Sequence, residues 1–185
     1  MNKTYSEEMQ DSIEPITHPK KTIVVGSDHR GFELKKIIRD HLVKINYDVL
    51  DVGTHDNKSC DYPSIAKSLV ETMNSKKGIL ICGSGFGMCI AANRHKGIHA
   101  VTPRTVTEVV VSRQHGNVNV LCLGADFTSD VESIKIVDTF LNTDFLGEDR
   151  YKRRIEAIDY RTFTYHNDDQ SSKDYKDVID DDKQK

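Results

Sequence analysis

Short apolar runs alternate with longer amphipathic segments from about residue 21 to residue 160. The short runs are rich in Val, Ile and Leu, and several are apolar at successive positions, as strands buried on both faces are. They predict five strands: Thr22–Ser27, Tyr47–Val52, Gly78–Cys82, Ile98–Thr102 and Val118–Gly124. The amphipathic segments predict helices over about 31–45, 63–75, 86–95, 105–114, 130–142 and 148–158. This alternation indicates an α/β fold, in which a five-stranded parallel sheet carries helices on both faces.

The two ends of the chain differ from this central part. Residues 1–20 and 161–185 are polar and show no hydrophobic periodicity, so we predict a flexible N-terminal tail, a single domain over 21–160 and a disordered C-terminal tail. The stretch from Asn167 to Lys185 holds seven Asp and four Lys residues, which account for the net charge of −3. Because the remainder is balanced in charge, no nucleic-acid partner is expected.

Composition also argues against a membrane protein and a metalloprotein. No apolar run approaches the roughly 20 residues of a membrane span, and the N-terminal segment lacks the apolar region of a signal peptide. We therefore expect a cytoplasmic protein without a membrane partner. The four cysteines, at positions 60, 82, 89 and 122, form no C-x-x-C pair, so neither a zinc site nor a disulfide framework is predicted.

A glycine-rich loop follows the predicted strand that ends at Cys82. Gly83, Gly85 and Gly87 lead directly into a predicted helix. Ligands of parallel α/β folds bind beyond the carboxyl ends of the strands. Glycines permit close backbone approach, and a helix N-terminus directs N–H groups toward an anion, so a phosphate or an enolate oxygen would fit here. A Cys82 thiolate could remove a carbon-bound proton, while Ser84 bonds a substrate oxygen.

Two nucleotide sites and a purely structural turn are the alternatives for this loop. A dinucleotide site requires G-x-G-x-x-G and an acidic residue at the end of the next strand, whereas this chain has G-x-G-x-G and ends that strand in Val101-Thr102-Pro103-Arg104. A Walker A loop requires Gly-Lys-Ser/Thr, which is absent. The residues alone leave open a tight structural turn with a core cysteine.

Five motifs carry a resemblance to a known family. They are GSDHRGFELK (26–35), DYP (61–63), GILICGSGFGMCIAANR (78–94), SRQH (112–115) and R-x-x-x-R-I-E-A-I (150–158). Together and in this order they resemble the type B ribose-5-phosphate isomerases, whose relatives act on galactose 6-phosphate and allose 6-phosphate. The resemblance implies a Rossmann-like three-layer α/β/α fold. It also implies cofactor-free, metal-free interconversion of ribose 5-phosphate and ribulose 5-phosphate in the pentose phosphate pathway. A homodimer with active sites at the interface, or a tetramer, is implied as well.

The resemblance also implies roles for individual residues. Cys82 corresponds to the base that moves a proton between C2 and C1 of the sugar. His115 corresponds to the acid–base that opens the furanose ring, with Asp28 near the sugar oxygens. The anion hole for the enediolate is implied for Gly83, Ser84, Gly85, Phe86 and Gly87, and further substrate contacts are implied for Tyr62 and Gly116.

The phosphate contacts implied by the resemblance are His29, Arg150 and Arg154. The two arginines are four positions apart on a predicted helix, so both guanidinium groups can reach one point. Guanidinium donors suit the geometry of a phosphate. A solvated basic helix face is the alternative for this pair.

Four positions depart from the family pattern. Met88 occupies the place where some members carry a glutamate base, which leaves Cys82 as the base candidate of the loop. Gly116 stands where Asn is usual, and Asp126 stands where an Arg reaches the phosphate of the partner subunit. Arg30 replaces a usual Ala. Together, the replacements at positions 116 and 126 indicate a shifted substrate, lost activity or a compensating cation, for which Arg30 and Arg104 are available.

Three functions therefore remain open at the level of the sequence. The first is a ribose-5-phosphate isomerase, and the second is a hexose-6-phosphate isomerase. The third is a non-catalytic sugar-phosphate-binding relative that keeps the fold. The presence of Cys82, Ser84 and His115 favours an enzyme.

Overall fold

The computed structural model describes residues 21–74 and 76–164. It contains five strands: β1 (Thr22–Ser27), β2 (Asp48–Asp51), β3 (Lys77–Cys82), β4 (Ala100–Val101) and β5 (Val120–Gly124). Six helices connect or follow them: α1 (Phe32–Lys44), α2 (Tyr62–Met73), α3 (Phe86–Ala92), α4 (Val106–Gly116), α5 (Asp130–Asn142) and α6 (Asp149–Thr164). Of the predicted tails 1–20 and 161–185, residues 1–20 and 165–185 lie outside the described residues, and residues 161–164 form the end of α6.

All strand pairs are parallel, in the order β2-β1-β3-β5-β4. Central strand β3 pairs with β1 and with β5, for example through Ile79 opposite Leu121. One face of the sheet packs a core against α1, α4 and α5, and the other face packs a core against α2 and α3. The predicted three-layer α/β/α fold with a five-stranded parallel sheet is therefore confirmed.

The boundaries of strand β4 and helix α6 are among those that differ from the prediction. Strand β4 is limited to Ala100–Val101, whereas the apolar run predicts a strand from Ile98 to Thr102. Side-chain amides replace part of its ladder, because the His99 N–H donates to Asn119 Oδ1 at 2.9 Å and the Ala100 N–H donates to Asn93 Oδ1 at 2.8 Å. Helix α6 continues to Thr164 instead of ending near 158.

The parallel arrangement gives the sheet two chemically different edges, which we name by the strand ends they carry. At the carboxyl edge lie the ends of β1, β3 and β5, at Ser27, Cys82 and Gly124. At the amino edge lie the strand starts and the helix ends that precede them. Helix α4 returns the chain from the carboxyl edge to the amino edge over 11 residues, a rise of about 16 Å.

The start of α4 shows how the sequence determines these boundaries. Thr105 caps the helix by accepting the Glu108 N–H at 3.2 Å, and the Glu108 carboxylate accepts the Thr105 N–H at 3.3 Å. This capping box satisfies amide groups that have no partner within the helix. It therefore begins α4 directly after the carboxyl edge.

Candidate active site

The loops that follow β1, β3 and β5 are hydrogen-bonded to one another at the carboxyl edge. The Asp28 N–H donates to the Ile81 carbonyl at 3.1 Å, which joins the first loop to the end of β3. The Ala125 N–H donates to the Cys82 carbonyl at 2.9 Å, and the Asp126 N–H donates to the Gly83 carbonyl at 2.9 Å. The three loops therefore form one continuous surface around the end of β3.

The glycine loop requires its glycines for two separate reasons. Gly85 has φ of +81°, and a Cβ added there would lie 2.5 Å from Thr102 Cγ2. Gly87 lies under the ring of Tyr62, so that an added Cβ would come within 2.8 Å of it. A side chain at either position would displace the loop or its neighbour. The path of the loop beneath Tyr62 thus depends on residues without side chains.

Cys82 lies at the inner side of this loop and is only 5% exposed. Its Sγ accepts the Gly85 N–H at 3.1 Å. Ser84 lies farther out, where its Oγ accepts the Phe86 N–H at 3.3 Å. A sulfur that receives a backbone N–H is oriented by that bond, and a thiolate is the stronger acceptor. The loop therefore holds a nucleophilic or basic group in a fixed position beside a small hydroxyl donor.

Asp28 and His29 border the same loop from the end of β1. Asp28 is buried, and its Oδ1 accepts the Arg30 N–H at 2.9 Å and the Gly31 N–H at 3.0 Å. His29 Nδ1 accepts the Cys60 N–H at 3.3 Å. That bond assigns the acceptor role to Nδ1 and leaves Nε2 as the nitrogen that can donate. The structure thus brings Asp28, His29, Tyr62 and the segment 82–87 together.

Lys35 of α1 bonds the end of β2 and the segment that follows it, next to the carboxyl edge. It was not identified as a functional candidate in the sequence. Its side chain is buried, and Nζ donates to Asp51 Oδ1 and to the Thr54 carbonyl, both at 2.6 Å. Thr54 in turn bonds the end of β1, since its N–H donates to the Ser27 carbonyl at 2.6 Å. A lysine within the apolar face of α1, beside Leu34, is the signal that would have identified it.

A second sulfur site lies on the same face of the sheet as Cys82. The pKa of Cys89 is lowered from 9.0 to about 6, mainly because Cys122 donates a hydrogen bond to it, while burial acts in the opposite direction. Burial raises the pKa of Cys122 well above its usual range. No local pattern singles out Cys89, because its environment depends on Cys122, which lies on a strand distant in sequence.

The remaining predicted site residues lie at the amino edge. The rings of His115 and Tyr151 stack with their centroids 4.4 Å apart and an interplanar angle of 13°. Arg150 Nη2 donates to the Tyr151 hydroxyl at 2.9 Å, and its Nε pairs with Glu148 at 2.8 Å. Arg154 is exposed one turn farther along α6. His115, Gly116, Arg150 and Arg154 therefore form a second group.

Within one chain the structure does not bring these two groups together. His115 ends α4, which begins at the carboxyl edge and runs about 16 Å away from it. At the amino edge, the Leu146 N–H donates to the Gln114 carbonyl at 3.1 Å, and His99 Nε2 lies 3.1 Å from Asp159 Oδ1 of α6. Proton transfer requires contact at about 3 Å. Within a single chain the two groups therefore lie at opposite edges of the sheet.

Asp126 pairs with one of the two cations that the sequence makes available to it. Arg30 Nη2 lies 2.5 Å from Asp126 Oδ2. Arg104, the other available cation, instead lies over the rings of Phe86 and Phe127 at 5.8 and 5.1 Å from their centroids. The negative charge at position 126 is thus offset locally by Arg30.

Metal-binding clusters and membrane-spanning helices are both absent from the described residues. Across residues 21–74 and 76–164, no cluster of His, Cys, Asp or Glu side chains has the arrangement of a metal site. In the same residues, no helix combines the length and apolarity that crossing a membrane requires.

Comparison with known proteins defines the class of the molecule. The Ribose/Galactose Isomerase family model matches residues 23–158. The probable ribose-5-phosphate isomerase B of Mycoplasma genitalium is 45% identical over 141 residues, which covers 74% of this chain and 92% of that protein. The ribose-5-phosphate isomerase B of Escherichia coli K12 is 39% identical over 141 residues, with 75% and 94% covered.

Solved structures agree with the sequence relatives. The ribose-5-phosphate isomerase B of Clostridium thermocellum superposes with a TM-score of 0.76 at 39% identity, covering 78% of this chain and 99% of that one. The Mycoplasma genitalium enzyme, solved with bound ribulose 5-phosphate, has a TM-score of 0.72 at 41% identity, with 80% and 100% covered. These relatives and structures thus identify the chain as a sugar-phosphate isomerase. This chain belongs to the Ribose/Galactose Isomerase family.

Proposed function

We propose that this chain interconverts ribose 5-phosphate and ribulose 5-phosphate. The observation that carries the proposal is the Cys82 loop, in which a buried thiol and three glycines lie at the carboxyl edge beside Asp28 and His29. The relatives that carry the name ribose-5-phosphate isomerase B support this substrate, and one related structure holds ribulose 5-phosphate.

Cys82 is proposed to move the proton of the isomerisation. As a thiolate it takes the proton from C2 of the open-chain aldose. The electron pair forms a double bond between C1 and C2, and the negative charge of the resulting enediolate develops on the C1 oxygen. The same thiol then returns the proton to C1, while the proton of the C2 hydroxyl passes to the C1 oxygen, which yields the ketose. Because Cys82 is buried, water is largely excluded from the transfer, and electrostatic interactions there are stronger than in solvent.

The glycine loop is proposed to bind the enediolate. Its backbone approaches a ligand closely, because Gly83, Gly85 and Gly87 have no side chains, and the Ser84 hydroxyl can donate to an oxygen there. Donors aimed at an oxygen whose charge develops in the transition state lower the barrier more than they strengthen substrate binding. Phe86 and Tyr62 border this space.

A second copy of the chain is proposed to complete each site. Ring opening is assigned to His115, and phosphate binding to His29, Arg150 and Arg154, yet His115 and the two arginines lie at the amino edge. In a two-fold symmetric dimer, the carboxyl edge of one protomer can meet the amino edge of its partner twice, which gives two equal sites. Exposed apolar side chains near the carboxyl edge support such an interface: Phe86, Ile90, Phe127 and Val131.

The test is a coupled assay with purified protein in the presence of EDTA. We expect turnover of ribose 5-phosphate, with a kcat/KM at least tenfold higher than for allose 6-phosphate or galactose 6-phosphate, since a pocket shaped for one substrate discriminates by about that factor per methylene-sized group. Preference for a hexose phosphate would replace the proposed substrate within the same family. Binding without turnover of any of the three would identify a non-catalytic relative.

A further inference from the structure

The Arg30–Asp126 ion pair crosses the end of the central strand. Arg30 belongs to the loop after β1, and Asp126 belongs to the loop after β5. Strand β3 lies between β1 and β5 in the sheet, so a bond between these two loops must pass over the end of β3. That end is Cys82, followed by Gly83. The pair therefore lies directly over the residues to which the reaction is assigned.

Gly83 shows how close the pair comes to the loop. A Cβ added at Gly83 would lie 2.7 Å from Arg30 Nε and 2.8 Å from Asp126 Oδ2. Backbone bonds hold both partners in place, because the Arg30 N–H donates to Asp28 Oδ1 and the Asp126 N–H donates to the Gly83 carbonyl, each at 2.9 Å. The absence of a side chain at Gly83 thus permits the guanidinium to reach the loop.

Stability does not account for this arrangement. The two side chains are 59% and 41% exposed, and exposed ion pairs contribute little to folding because solvent screens them. Among the described residues, Asp126 is the one side-chain partner of the Arg30 guanidinium. A guanidinium has five N–H donors, so most of them remain available to a ligand oxygen.

We propose that Arg30 is a further catalytic residue, whose guanidinium binds the substrate oxygen that becomes negatively charged beside Cys82, and that Asp126 positions it. The identity of that oxygen rests on the proposed function, since it is the enediolate oxygen of the isomerisation. Asp126 acts through Arg30 by holding its Nη2 over the loop. Because the ion pair is neutral, the net charge over Gly83 stays small until an anion forms there. The remaining N–H donors of the Arg30 guanidinium then bind that anion.

The first experiment measures the charge beside Cys82 without any turnover. Mass spectrometry of digested protein gives the alkylation rate of Cys82 by anionic iodoacetate and by neutral iodoacetamide. In Arg30→Ala the iodoacetate-to-iodoacetamide rate ratio should fall about threefold, which is the effect of one unit charge at close range in a high-dielectric site. Arg39→Ala, which breaks the exposed Arg39–Asp40 pair on α1, is the matched control and should leave the ratio unchanged.

The second experiment separates a catalytic from a structural role. Arg30→Ala should lower kcat for ribose 5-phosphate about 100-fold with KM changed by less than about threefold, because the bond forms to charge that exists in the transition state. Asp126→Ala should lower kcat in the same way, whereas Asp126→Asn, which keeps an acceptor oxygen, should restore most of it. A purely structural Asp126 would lower the melting temperature without this rescue.

The outcomes separate this proposal from the proposed function. Wild-type protein that turns over no sugar phosphate would overturn the proposed function, yet the alkylation ratio would still test Arg30. An unchanged or higher ratio in Arg30→Ala would overturn the catalytic role of Arg30. A raised KM with unchanged kcat would overturn it as well, because the guanidinium would then bind a part of the substrate whose charge does not change.

Discussion

Mixing two inactive variants tests whether each active site is built from two chains. Cys82 lies at the carboxyl edge of the sheet, where α4 begins, and His115 lies near the other end of that helix, whose rise is about 16 Å, whereas proton transfer requires contact at about 3 Å. Cys82→Ala and His115→Ala should therefore each inactivate both sites of a homodimer. A heterodimer of the two variants has one site with both residues intact and one site that lacks both.

The expected recovery of activity follows from the fraction of active sites that are intact in the mixture. When equal amounts of the two variants are unfolded together and refolded, half of the dimers are heterodimers, and half of the sites in each heterodimer are intact. The mixture should therefore recover about a quarter of wild-type kcat per chain, whereas each variant alone should keep about 1% or less. The measurement is the coupled assay with ribose 5-phosphate at saturating concentration.

A matched mixture supplies the control. Cys82 and Ser84 lie in the same loop, so a Cys82→Ala and Ser84→Ala heterodimer has no site in which both residues are intact. That mixture should gain no activity on refolding. If Cys82→Ala and His115→Ala also failed to complement, although both variants refold and the chain is dimeric by sedimentation, the two-chain site would be refuted.

Three further predictions concern single features of the structure. Arg150→Ala should raise KM about 10- to 100-fold through the loss of a charge-assisted bond to phosphate, whereas Lys152→Ala on the same helix should not. In Thr105→Ala the free energy of unfolding in urea should fall by about 1 kcal/mol, since the capping box is lost. Because the thiolate is the reactive form, Cys89 alkylation by iodoacetamide should be half-maximal near pH 6, and Cys122→Ala should move that midpoint up toward 9. An unshifted midpoint would remove Cys122 as the cause of the lowered pKa.

The apolar runs predict the strands well because a strand buried on both faces leaves little choice of residue. Ile79, Leu80 and Ile81 of β3 are all fully buried, as their composition indicates. The prediction is least accurate at β4, where local apolarity extends over five residues but the ladder covers two. Hydrogen bonds from the His99 and Ala100 N–H groups to Asn119 and Asn93 determine that difference. These acceptors lie 20 and 7 positions from their donors, so the local apolar pattern does not show them.

In the candidate site, too, some features depend on adjacent residues and can be predicted, whereas others depend on residues distant in sequence. The loop from Cys82 to Gly87 is recognisable because its chemistry and its conformation depend on adjacent residues. The lowered pKa of Cys89 depends on Cys122, and the place of Arg30 depends on Asp126, 96 residues along the chain. The first relation has no signal in the sequence, and for the second the sequence leaves open whether Arg30 or Arg104 pairs with Asp126.

By itself, then, the sequence determines the α/β fold, the glycine loop and the residue types available for a sugar-phosphate isomerase. These follow from local periodicity and from motifs of a few residues, whose effects do not depend on distant partners. Only the tertiary structure decides that His115 and Arg150 lie at the opposite edge from Cys82, and that Arg30 crosses the end of β3. Both results follow from the sheet order, because β1 and β5 flank β3 and α4 returns to the amino edge. The order of strands in a sheet is set by long-range packing, and local patterns do not encode it.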